Sequence, residues 1–131
     1  MALTFAERAG QVRLAMQESG LDRLIAIHDG AHFIEKPNPV MVLTRFKSLG
    51  PAAAVLDRDG DVSLIVTPAW DRERAAEECP DAHVIAADDV VEGVIRTLRL
   101  GSTTAKGNYT LTITGASGAL SHATTVSLNV K

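Results

Sequence analysis

The sequence predicts an α/β fold: a sheet with flanking helices, followed by two C-terminal β-strands. Three observations carry that prediction. The run AVLDRDGDVSLIVTP (54–68) holds two apolar stretches separated by an Asp- and Gly-rich turn, the pattern of a hairpin feeding an α/β layer. Segments with apolar residues at helical spacing alternate with short apolar runs through the first hundred residues. Beyond Gly101 the period switches to two.

The elements follow in order. Thr4 and Glu7 have the spacing of a capping box, and Phe5, Ala9, Val12 and Met16 recur at helical spacing behind it. This predicts a helix over 5–19, stopped by Gly20. Residues 24–27, Leu-Ile-Ala-Ile, read as a strand buried on both faces, as in parallel sheets. Pro37 and Pro39 break regular structure over 31–47, so 40–43 (Val-Met-Val-Leu) reads either as a short helical turn or as a strand. The hairpin places strands at 52–56 and 62–66 around a turn at 57–61. A helix over 69–79 follows, ended by Pro80, with Asp71, Glu73, Glu77 and Glu78 towards solvent and Trp70, Ala75 and Ala76 inward. Residues 83–86 form a short strand, and Asp88 or Asp89 caps a helix over 90–98. In the tail, Tyr109, Leu111 and Ile113 alternate with threonines, and Val126, Leu128 and Val130 alternate with Ser127 and Asn129. Two half-buried strands joined by a loop at 115–123 fit that pattern, and a lone pair of strands is too small to be stable without packing on something.

Composition bounds the function. At 131 residues the chain is read as one domain with a real core. The net charge of −3 gives no broad basic field for nucleic acid or an anionic membrane. One cysteine, Cys79, excludes an intrachain disulfide and is compatible with a reducing compartment. No apolar run approaches the roughly 20 residues of a membrane helix, and the start of the chain lacks the pattern of a secretory signal. The expectation is a soluble cytoplasmic protein. All sixteen acidic residues precede Gly101, whereas the last 31 residues carry only Lys106 and Lys131 among a crowd of Thr, Ser and Gly. One evolutionary segment rarely changes its composition so abruptly.

No active site assembles from these residues. His28, Asp29 and His32 could offer a metal two imidazoles and a carboxylate, but Gly30 and the preceding strand oppose the helix that i, i+4 ligation needs, and a polar loop is the better reading. The 57–61 turn lacks the length and terminal Glu of a calcium loop. Cys79 has no histidine arrangement around it and sits at a helix C-terminus, which raises a thiol pKa. His122 and the tail hydroxyls form no triad motif, and the glycines lack phosphate-loop or dinucleotide spacing. The expectation is therefore no enzyme, no catalytic, cofactor or metal residue, and no small-molecule substrate.

An ordered series of motifs adds a resemblance. A helix ending in SGLD, the strand RLIAI, then NPVMVLTRFKSLGPAAAVLDRDG, SLIVTPAWDRERA and DDVVEGV together resemble the N-terminal domain of the creatinase/prolidase (pita-bread metallopeptidase) family, over about residues 5–100. Where the family commonly shows Leu-Thr-Gly-Phe, this chain has Leu43-Thr44-Arg45-Phe46, and 34–40 is also unusual for the family. The resemblance implies a three-layer α/β domain without catalytic residues of its own, supporting oligomer contacts. In the family the chemistry belongs to a following C-terminal domain with two metal ions. The tail, GNYTLTITGASGALSHATTVSLNV, resembles the last strands of a bacterial immunoglobulin-like repeat. The joint reading is an engineered or recombined chimera: residues 1–100 from one source and 101–131 from another, the tail strands replacing a lost strand of the sheet. The partner it implies is a second copy, through a sheet edge or through the ancestral oligomer surface.

Overall fold

The computed structural model describes residues 3–31, 38–98, 106–117 and 119–130. Where the sequence is read as one domain, the chain divides into two compact units, Met1–Leu98 and Arg99–Lys131.

The first unit opens with α1, Phe5–Glu18. The Thr4 hydroxyl accepts from the Glu7 backbone N–H at 3.2 Å while the Glu7 carboxylate accepts from the Thr4 N–H at 2.8 Å, so both halves of the capping box form. Hydrogen bonds to the Glu7 carboxylate hold its pKa below the usual range. The helix ends in a Schellman motif: Gly20, at φ 66°, donates to Gln17 and Leu21 donates to Met16. Strand β1 (Arg23–His28) leads to α2 (Pro39–Thr44). Of the two readings of 40–43, the helical one holds. The Asn38 side chain accepts from Val40 N and Met41 N, and Pro39 takes the first helical position, where its missing N–H costs nothing. Helix α2 closes on Arg45, which sits in the left-handed region at φ 67°.

The hairpin forms as read, with β2 at Ala52–Asp57 and β3 at Val62–Val66. A 3-10 turn (Ala69–Asp71) and α3 (Arg72–Glu78) carry the chain to β4 (Ala82–Ala86). Helix α4 (Val90–Thr97) follows, with Asp89 accepting from Glu92 N at 2.9 Å as its cap. The sheet order is β1-β2-β3-β4, antiparallel except for the parallel β3–β4 pair.

Strand alternation sorts the core onto two faces. Ala52, Ala54, Leu56, Val62, Leu64, Val66 and Val84 pack with Ala9 and Met16 of α1, Val40 and Leu43 of α2, and Ala75 of α3. Ala53, Val55 and Ile65 point the other way, against Val94 and Val90 of α4. Both faces of the hairpin are covered, which gives the three layers. Gly93 is required on that second face: a Cβ there would lie 2.5 Å from Ile65 Cγ2.

Several expectations are corrected. Strand β1 is an antiparallel edge strand rather than a strand buried on both faces. Its Ile25 and Ile27 lie on the face of Val55 and Ala53, but α4 covers β2 and β3, which leaves the two isoleucines 39% and 51% exposed. In the 69–79 segment Trp70 is 71% exposed and Asp71 is 1% exposed, the reverse of the expectation, and Ala76 is also exposed. The first turn is 3-10 rather than α-helical, which changes the phase, and Arg74 draws the Asp71 carboxylate inward.

The remaining corrections concern the second unit. Strands β5 (Gly107–Ser117) and β6 (Leu120–Val130) pair antiparallel over eleven residue pairs, so most of the expected 115–123 loop is strand. Among the described residues their sheet contains only each other and does not complete the four-stranded one. The short connection makes their pairing local, at little loop-closure cost. Instead of half-buried, most of their side chains are exposed. Tyr109, Leu111 and Ile113 nonetheless share one face with Leu128 and Val126, against a face of Asn108, Thr110, Thr112, Thr114, Thr125, Ser127 and Asn129.

Candidate functional site

Among the described residues, those singled out by sequence do not come together. His28 ends β1, buried at 7% exposure, and its Nε2 has no hydrogen-bond partner. Asp29 turns back on its own loop, accepting from Ala31 N at 2.8 Å. His32 lies outside the described residues. Among the described residues, no three His, Cys, Asp or Glu side chains converge to hold a metal.

The acidic turn between β2 and β3 is occupied by arginines. Asp57 pairs with Arg23, its carbonyl accepts from Arg13 Nε at 3.3 Å, and Arg13 also reaches the Gly60 carbonyl. Arg58 pairs with Asp22 at 2.9 Å and Asp59 at 3.4 Å. Two guanidinium groups thus pair with the Asp57 and Asp59 carboxylates that a cation would need, and a third, Arg13, takes up the turn's carbonyls. Cys79 is buried, with its thiol 3.3 Å from the Thr44 carbonyl, as a donor to it. Burial pushes the thiol pKa up, and the nearby Glu78 and Asp81 charges add to that effect. A thiol held protonated is a poor nucleophile. His122 lies on β6 opposite Gly115, exposed.

The most organised polar group was misplaced by sequence reasoning. Arg74 Nε and Nη2 each donate to the Asp71 carboxylate at 2.7 Å, a bidentate pair. Arg74 Nη1 donates to Glu78 at 3.0 Å and Nη2 to the Lys47 carbonyl at 3.0 Å. Its guanidinium stacks 4.4 Å from the Phe46 ring centroid. The hydrogen bonds it donates to Asp71 raise the Arg74 pKa further, so this cation stays charged. The i, i+3 spacing of Asp71 and Arg74 was the available signal. Chemically the group is a clasp: every member is engaged, and it binds α3 to the loop after α2. It presents no free base or nucleophile.

No protein-family model and no curated protein matches the chain. Among solved structures, it is similar to one described as aminopeptidase P, an Xaa-Pro aminopeptidase, from Streptococcus thermophilus, with a TM-score of 0.54 and 14% identity. The similarity covers 73% of this chain, which spans only 66% of that one. At this identity the likeness is one of fold, and it supports the creatinase-like α/β arrangement anticipated from the motifs.

Proposed function

We propose that this chain is a non-catalytic α/β module of creatinase N-terminal type, joined to a strand pair of separate, immunoglobulin-like origin, and that it self-associates rather than catalyses. The observation that carries the reading is the fold likeness to the aminopeptidase P structure, combined with polar clusters whose members are engaged with one another. The chimeric origin is supported by a coincidence: the loss of acidic residues at Gly101 falls close to the unit boundary after Leu98. Self-association is supported by two strands whose outer edges lack a partner in their sheet among the described residues.

A second reading draws on the printed description of the similar structure. The chain would be the non-catalytic N-terminal part of a metal-dependent Xaa-Pro peptidase or creatinase-type hydrolase, active only with a catalytic domain supplied separately. Assays on Xaa-Pro peptides and creatine, with Mn²⁺, Co²⁺ or Zn²⁺ added and bound metal measured, test the proposal. The expected result is no turnover and no stoichiometric metal. Metal-dependent turnover by the chain on its own would overturn the non-catalytic reading.

A further inference from the structure

We propose that β5 is the self-association surface, pairing antiparallel with β5 of a second copy about a two-fold axis at Leu111 and building one four-stranded sheet from two ribbons. The inference rests on the self-association part of the reading above. A two-stranded hairpin is marginal in water, and three or more strands with an apolar face are needed for independent stability. A second copy supplies the missing strands. Natural sheets protect their edges with charge, proline or short strands. Strand β5 has eleven residues and none of these devices: Gly107–Ser117 contains no Lys, Arg, Asp, Glu or Pro. Two such strands meet without repulsion.

The choice of surface follows from size and pattern. Eleven residues at about 3.4 Å make a ribbon about 37 Å long and, with two strands about 4.8 Å apart, about 10 Å wide. Stacking two ribbons face to face would cover only about 370 Å² on each copy and would leave every strand edge unpaired. Edge pairing instead adds a backbone ladder and joins the two apolar faces into one. Strand β5 suits this better than β6. With Leu111 on the axis, Tyr109 faces Ile113 of the second copy, an aromatic–β-branched pair. Leu111 and Ile113, 39% and 57% exposed, lie on that same face. The corresponding face of β6 is interrupted by His122 and Thr124.

Sedimentation of the full chain over a concentration series tests this, with far-UV circular dichroism to verify folding. The parent chain is expected at twice its 13.9 kDa. Leu111→Lys puts two like charges directly opposite on the axis and is expected to weaken dimerisation at least about tenfold. Val126→Lys, the cross-strand neighbour of Leu111 on the far edge, removes the same contact within the ribbon and is expected to leave the dimer intact. A monomeric parent, a Leu111→Lys variant that stays dimeric, or a Val126→Lys variant that dissociates as fully overturns the inference. The two proposals fail separately: an inactive monomer refutes self-association, and β5 pairing with it, but keeps the non-catalytic reading; a dimer that Leu111→Lys leaves intact refutes β5 pairing alone; an active dimer keeps β5 pairing and refutes the non-catalytic reading.

Discussion

Replacing Arg45 with Gly is expected to stabilise the first unit. Arg45 closes α2 at φ 67°, ψ −1°, a conformation that brings a Cβ against the neighbouring carbonyl. That clash costs about 1–2 kcal/mol for an ordinary residue. Glycine removes it but loses about 0.5–1 kcal/mol through the greater freedom of its unfolded chain. The Arg45 side chain is exposed, so little packing is forfeited. The expected net gain is about 0.5–1 kcal/mol. For a unit of this size that is a rise of about 2–8 °C in the melting temperature. Thermal and urea unfolding, followed by circular dichroism, read the change. The Arg45→Ala control keeps the left-handed Cβ and is expected to give no gain. If Arg45→Ala stabilised as much as Arg45→Gly, the benefit would come from losing the side chain, and the backbone argument would be refuted.

Arg74→Met leaves the buried Asp71 carboxylate without its bidentate partner and is expected to cost about 2–4 kcal/mol, the partial exposure of Arg74 keeping the loss below that of a fully buried pair. Adding Asp71→Asn is expected to return part of that loss in the same urea titration. Gly93→Ala drives a methyl group towards Ile65 Cγ2 and Ala87 Cβ and is expected to destabilise by about 1–3 kcal/mol despite alanine's better helix propensity, again read by urea unfolding. Because burial raises the Cys79 pKa above its unfolded value, its contribution to stability is complete below about pH 8.5 and falls as pH rises through the folded value. Cys79→Ala is expected to flatten that alkaline limb, and the native thiol is expected to react slowly with a disulfide reagent until the chain unfolds.

How much was legible depended on how local the cause was. The capping box, Gly20, the 57–61 turn and the Asp89 cap act within a few residues, and each was readable. What sequence missed depended on neighbours. Ile25 and Ile27 look like core, yet their burial depends on which strand stands at the edge and on how far α4 reaches. Trp70 and Asp71 exchanged places because a 3-10 turn shifted the helical phase and Arg74 offered Asp71 a partner. The 115–123 segment has the Gly, Ser and Ala of a loop, but strand pairing overrides weak propensity once a register is established. The clasp needed the fold, since Phe46 and the Lys47 carbonyl approach Arg74 from far along the chain.

The boundary after Leu98 is also a boundary in titration behaviour. The first unit carries sixteen carboxylates against ten Lys and Arg, a formal −6, whereas the second carries no acidic side chain and three basic ones, a formal +3. The pI near 5.7 is therefore set by the first unit. Between about pH 3 and 6 carboxylates take up protons, so the first unit's charge changes sign, while the ribbon has no acidic side chain to protonate. Precipitation near the isoelectric point would belong to the first unit, and salt would modulate it. An assembly built on the uncharged ladder of β5 would persist across that range, so the pH profile of association reports which unit is responsible.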